Sequence, residues 1–208
     1  MQHSALDRIE QAVAAAERNT SCEYIVILAP ASSRYEGRAL KAAAAVGGLV
    51  FVAQDLLHWL WLGALADGLF LLIEALVVAA LALLALRRVP ALRRMLLPRW
   101  LMRDAVDMTS AALFTKENVS LTRERNGCLL FVSVLEGEAR VMPDIGMERA
   151  LDGARLGEIR AGLANAAGDP VEALCAALQR LGECCREKFP RAADDVNELP
   201  DRPQIWLP

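Results

Sequence analysis

The chain has 208 residues, of which 55% are hydrophobic and 24% charged, and it carries a formal net charge of −3. That length allows one ordinary domain plus a modest extra element, and the apolar content is high for a soluble protein. The small net charge gives no reason to expect nucleic acid as a partner, and five cysteines without disulfide-framework or zinc-site spacing fit a reducing compartment.

Met1 to Glu10 is polar and lacks the basic, apolar and small-residue regions of a signal peptide, so the chain is expected to start in the cytosol. Ser4 followed by Asp7 suggests a helix start, and Leu6, Ile9, Val13 and Ala16 recur at helical spacing, predicting a helix from about Ala5 to Arg18. Asn19-Thr20-Ser21 breaks it. Glu23 to Ala29 is then a nearly continuous apolar run rich in β-branched residues and closed by Pro30, the signature of a buried strand.

From Ala39 to Leu86 the only cation is Lys41, and two segments of spanning length can be cut from this stretch, about 42–62 and 69–86. Both are apolar on all sides, and the rest of the chain is too short to cover them, so a transmembrane hairpin turning over Gly63 to Gly68 is expected. Arg34, Arg38 and Lys41 precede the pair, and Arg87, Arg88, Arg93, Arg94, Arg99 and Arg103 follow it, while the intervening loop has no Lys or Arg. By the positive-inside rule both flanks, and hence both termini, face the cytoplasm. Trp59 and Trp61 then lie near the far interface. This makes the chain a multi-pass protein of the inner membrane, with the lipid bilayer as one partner.

Pro90 to Trp100 alternates basic and apolar residues and suits the inner membrane surface. A helix is expected from about Leu101 to Lys116, and Asn126-Gly127 launches a second buried strand, Cys128 to Leu135. Glu136-Gly137 turns the chain so that Ala139 to Met142 can pair back as a third strand. Two helices follow: one from about Met147 to Ala166, the next opened by Asp169 as cap and Pro170 at its first position. In the latter, Val171, Leu174, Cys175, Leu178, Leu181, Cys185 and Phe189 form one apolar face. The proline-rich acidic tail from Pro190 reads as extended or partly disordered. The organisation is therefore an α/β domain in two pieces, residues 1–38 and 87–189, with an inserted two-helix transmembrane hairpin at 39–86 and a tail at 190–208.

No phosphate-cradling glycine loop, nucleophile elbow or histidine pair for a metal is present, and Cys184-Cys185 sit about 100° apart on a helix, which disfavours a bond between them. Three ionisable residues fall inside the hairpin, Asp55, His58 and Glu74, and such groups at membrane depth are costly and often functional. His58 and Glu74 stand at similar distances from the turn, so they either pair across the hairpin or, in a shallower register, remain wet at the outer interface. An intramembrane ion or proton path would use these three. Glu23 starts the first strand and Asp144 follows the third, both at sheet ends where binding residues are often placed. Asp194, Asp195 and Glu198 offer further carboxylates for a hard cation such as calcium.

Several strings resemble the TPM-domain family, named after a thylakoid lumen protein, a photosystem II assembly protein and a nematode acetylcholine-receptor modulator. They are Ala15-Ala16-Glu17-Arg18-Asn19-Thr20-Ser21-Cys22-Glu23, where the Cys22 position is commonly glycine; Leu113-Phe114; Thr122-Arg123-Glu124-Arg125-Asn126-Gly127; Leu130-Phe131-Val132-Ser133; and Asp144-Ile145-Gly146. The ending Asn197-Glu198-Leu199-Pro200-Asp201-Arg202-Pro203 is similar to the close of bacterial members that carry a membrane insertion. The resemblance implies a small Rossmann-like α/β sandwich and, as in some plant members, an acid phosphatase with calcium held by acidic residues, to which Asp144 and Glu23 would correspond. The expected function is a membrane-tethered binding or assembly module that meets a membrane or cytosolic protein partner. The alternative is a metal-dependent, calcium-type phosphatase at the membrane surface.

Overall fold

The computed structural model describes residues 3–62, 68–164, 169–191 and 196–208. The chain divides into two compact units, one formed by Met1–Ser33 with Met102–Pro208 and the other by Arg34–Leu101.

The first unit is an α/β sandwich. Its central strand β1 (Glu23–Ala29) and its neighbour β2 (Gly127–Ser133) are buried along their whole length, as their continuous apolar sequences require. They pair in parallel, Glu23 opposite Gly127 through Ala29 opposite Ser133. Strand β3 (Glu138–Pro143) returns antiparallel to β2, after a turn in which the Gly137 N–H donates to the Ser133 carbonyl at 3.0 Å. A short strand β4 (Gln204–Ile205) joins the other side of β1 in parallel, giving the sheet order β3-β2-β1-β4. The tail is expected to be extended or partly disordered; this part of it is extended and pairs with β1 as a sheet edge.

Alternation along the strands sends side chains to two cores. Tyr24, Val26, Leu28, Cys128 and Leu130 pack with helix α1 (His3–Glu17) and with two late helices, α7 (Gly153–Ala164) and α8 (Pro170–Cys185). Ile25, Ile27, Leu129 and Phe131 pack with Val106 and Leu113 of α5 (Arg99–Lys116), and with Val119 and Leu199. The α8 stripe is buried as its periodicity predicts, apart from Cys175 and Phe189 at its margins, and Asp169 caps the helix by accepting from the Val171 N–H at 2.9 Å. The single helix expected from Met147 is in fact two, α6 (Ile145–Ala150) and α7. Leu151 turns extended between them, and the Asp152 carboxylate takes the Ala154 N–H at 3.1 Å, so a new helix starts there. The expected end at Ala166 lies outside the described residues.

The second unit is an antiparallel pair, α2 (Glu36–Leu62) and α3 (Gly68–Arg88), followed by the short α4 (Pro90–Leu96). At 27 and 21 residues, α2 and α3 are long and apolar enough to cross a membrane. The helices touch along small residues. A Cβ on Gly47 would lie 2.9 Å from the Ala75 carbonyl oxygen and the same distance from the Ala79 Cβ, so only glycine allows this approach. Most large apolar side chains point away from the partner helix; Leu49 is 70% exposed and Trp61 84%. The basic segment belongs to this unit. Arg93 of α4 folds back to donate to the Leu86 and Arg87 carbonyls at 2.6 and 2.7 Å, capping the end of α3. The turn expected over Gly63 to Gly68 lies outside the described residues except for Gly68.

Candidate functional site

Two polar clusters stand at opposite ends of β1 and β2. At the end where the parallel strands begin, the loops before β1 and β2, the end of β3 and the tail converge. Asn126 ties the first two: its side-chain amide donates to the Ser21 carbonyl at 2.5 Å, and its backbone N–H goes to the Thr122 hydroxyl. The Ser21 hydroxyl donates to Glu124 at 2.9 Å. Arg125 takes a left-handed backbone, φ 55°, and a Cβ on Gly146 would come within 2.6 Å of the Glu124 and Arg125 carbonyls, so Gly146 is required by the close approach of these two loops.

Both carboxylates singled out in the sequence lie in this cluster, and each is engaged by the chain itself. Asp144 takes a two-pronged ion pair from Arg125, Nε to Oδ2 at 2.5 Å and Nη2 to Oδ1 at 3.0 Å, and caps α6 by accepting from the Ile145 N–H at 2.8 Å. Burial pushes its carboxyl up, but the Arg125 guanidinium and the Ile145 N–H outweigh this and hold it below the usual aspartate range. Glu23 is buried, and its Oε2 accepts from the Leu199 N–H at 3.2 Å, pinning the tail to the start of β1. Glu198 accepts from the Arg123 N–H at 2.9 Å, while Asp194 and Asp195 lie outside the described residues. Among the described residues no group of acids, histidines and cysteines is arranged to hold a metal ion.

Glu17, which sequence reasoning treated only as a residue of the family-like string, is the most perturbed acid here. It ends α1, is 9% exposed, and accepts the Tyr24 N–H at 3.0 Å. Burial pushes its carboxyl up to about 8; the Tyr24 N–H opposes this, Glu23 and Asp201 reinforce it, and Arg191 offsets part. A protonated carboxylic acid beside two other acids is a pattern also found in catalytic sites. Its signal in the sequence is its place two residues before the break Asn19-Thr20-Ser21, where α1 hands over to β1.

At the other end, where the parallel strands finish and α/β proteins commonly bind ligands, Glu136 is buried and bridges two loops. It accepts from the Ser32 N–H at 2.9 Å and from the Ser133 hydroxyl at 2.5 Å. Thr109 donates to the Ser32 carbonyl at 2.9 Å, and the Ser32 hydroxyl is buried without a hydrogen-bond partner. Beside it, Arg140 pairs with Asp107 and Glu138, and Arg103 with Glu138. From the sequence Glu136 reads only as a turn residue; Ser133 is its neighbour in the chain, but Ser32, from the loop after β1, and the Thr109 of α5 that holds Ser32 are far away in it.

The five cysteines are free thiols. Cys22, Cys128 and Cys185 are buried in the core near Tyr24, and burial raises Cys128 and Tyr24, while Cys22 is raised by its hydrogen bond to Cys185 together with burial. Hydrogen bonds from Cys22 and Tyr24 outweigh burial and lower Cys185, whereas Cys22 and Cys128, buried and held protonated, are structural and inert.

Within the hairpin, Glu74 accepts a hydrogen bond from the Gln54 side-chain amide at 2.7 Å. The pairing of Glu74 with His58 is therefore corrected. His58 lies one turn further along α2 than Gln54 and is exposed, with Asp55 half-buried between them in the sequence.

No family model matches the chain, and no curated protein matches it. Among solved structures it is similar to the NMR structure of the BA42 protein from the psychrophilic bacterium Bizionia argentinensis sp. nov., with 15% identity and a TM-score of 0.59 over 99% of this chain and 95% of that one. At that identity the likeness shows the α/β fold and carries no function.

Proposed function

We propose that the protein is a TPM-like binding or assembly module tethered to the cytoplasmic face of the inner membrane, with both termini cytoplasmic, where it engages a membrane or cytosolic protein partner. The observation that carries the reading is the insertion between β1 and α5 of two spanning-length helices whose large apolar side chains are exposed. Exposed apolar surface on this scale needs a bilayer or a partner, and cations on both flanks with none expected in the turn favour cytoplasmic termini. The polar clusters at the ends of β1 and β2 supply recognition groups rather than open metal ligands, because Asp144, Glu23 and Glu136 are each held by the chain's own donors.

The test has two arms. In membranes from cells expressing the chain, it should resist alkaline extraction, and protease added to the periplasmic side should leave both termini intact; release by alkali, or cleavage of both termini, overturns the topology. Purified protein is expected to hydrolyse a phosphomonoester no faster with calcium than without, and Asp144→Asn should not change the rate. A calcium-dependent rate abolished by Asp144→Asn would establish the phosphatase reading in its place. Crosslinking in membranes followed by identification of the adduct then names the partner.

A further inference from the structure

Beside the tight seam of Ala43, Gly47, Ala75 and Ala79, the two long helices enclose an open apolar groove of about 620 Å³. Ala44, Gly48 and Val52 line it from α2, each one turn from the next, and Leu76, Ala80 and Leu83 line it from α3. A Cβ added to Gly48 would meet nothing within 4 Å, in contrast to its neighbour Gly47, so the groove is open where the seam is closed. From Leu40 to Val52 it runs roughly 18 Å at the α-helical rise, close to the apolar depth of one leaflet, about 15 Å. Its volume is within the range of small-molecule sites, about 300–1,000 Å³.

What fixes the occupant is charge at one end. Gly47 packs between Ala75 and Ala79, and Arg38 before it in α2 and Arg88 after them in α3 lie toward the same end of the pair. Arg38, Lys41, Arg87 and Arg88 are all exposed there; one acid, Glu36 in the first turn of α2, stands on the same side, and no Asp or Glu follows Glu74 until Asp104, so cations outnumber acids at this end. Small residues hold the slot open, and the four cations flank its Leu40 and Leu83 end in the two helices, where a phosphate attached to a chain lying in the slot would meet them.

We propose that this groove holds one acyl chain of an anionic phospholipid whose phosphate is bound by Arg38, Lys41, Arg87 and Arg88. The inference rests on the membrane reading above. A zwitterionic lipid fills the slot equally well, but its own ammonium offsets the phosphate charge and opposes the four cations, and a second copy of the hairpin would bring the same four cations against their like.

The test uses the full chain reconstituted in bilayers of equal parts phosphatidylglycerol and phosphatidylcholine, then analysed by native mass spectrometry. Wild type should retain one phosphatidylglycerol, at least fivefold over phosphatidylcholine. Gly48→Leu, and independently Ala44→Leu, fill the slot from exposed positions and should reduce retained lipid at least fivefold. Arg87→Gln with Arg88→Gln should keep a lipid and lose the headgroup preference. Retention without headgroup preference in wild type, or unchanged by either filling substitution, overturns the proposal, as does a dimer that Gly48→Leu dissociates. Failure of the chain to enter the bilayer overturns the membrane reading itself, whereas entry without lipid retention overturns only the groove.

Discussion

Replacing Asp144 with alanine is expected to destabilise the α/β unit by about 2–3 kcal/mol. Breaking a buried ion pair by removing one partner costs about 3–5 kcal/mol, and loss of a helix cap about 1 kcal/mol, but the Arg125 side chain is 52% exposed and so keeps much of its solvation when Asp144 is gone. Asp144→Asn should cost less, because an amide oxygen still accepts from the Ile145 N–H. Arg125→Ala should be at least as harmful as Asp144→Ala, since it strands a carboxylate that is 4% exposed. Denaturant unfolding of the full chain in detergent micelles measures all three. Equal stability of wild type and Asp144→Ala would show that the pair contributes nothing. The pair also has an acid limit: its stabilisation is complete above the usual aspartate range and is lost as the pH falls through the lowered value of Asp144.

Glu17→Gln should change how stability depends on pH in the opposite sense. The Glu17 carboxyl is raised from 4.5 to about 8 in the folded protein, so the folded state holds a proton that the unfolded state has released between those values. Stability from this group is fully present below 4.5 and declines by up to about 1.4 kcal/mol per pH unit as pH rises through that window. Glutamine still accepts the Tyr24 N–H but has no charge to bury. The variant should therefore match wild type near pH 5 and exceed it by roughly 2–4 kcal/mol at pH 9. Midpoints followed from pH 5 to 9 check this, and curves that stay parallel would place Glu17 in a wetter site than its burial indicates.

How much of this was readable in advance depends on which forces shaped each feature. Glu23–Ala29 announces a buried strand because a strand covered on both faces has no polar side to show. The hairpin is legible for the same reason, and Asp169 with Pro170 fixes the start of α8 from local chemistry alone. Features set by distant chain were not legible. Gln204 and Ile205 form a strand only because β1 offers a free edge, and two residues carry no periodicity. The break between α6 and α7 has a local signal in Asp152-Gly153, but the apolar spacing on either side continues across it and hides it.

The candidate sites divide the same way. Glu23 and Asp144 were picked out by their position at sheet ends, and both do lie in one cluster, but their engagement with Leu199 and Arg125 depends on tertiary contacts. Glu17 reads in the sequence only as a residue near the end of the first helix and becomes unusual only when β1 and the tail close over it. Glu74 was visible because it is charged. Its partner Gln54 carries an amide and no charge, so nothing in the sequence marks it against the other uncharged residues of α2.

The placement of β1 between β2 and β4 also sets an order of events during synthesis. Glu23 to Ala29 emerge early, yet their partners on either side are Gly127 to Ser133 and Gln204 to Ile205, so α2 and α3 are made and available for membrane insertion while an apolar strand still has two open edges. Such sequence-distant pairing is slow, and unpaired edges invite aggregation. The nascent chain should thus carry its greatest risk of misassembly between synthesis of the hairpin and arrival of β2, a window in which chaperone occupancy on β1 is expected to peak.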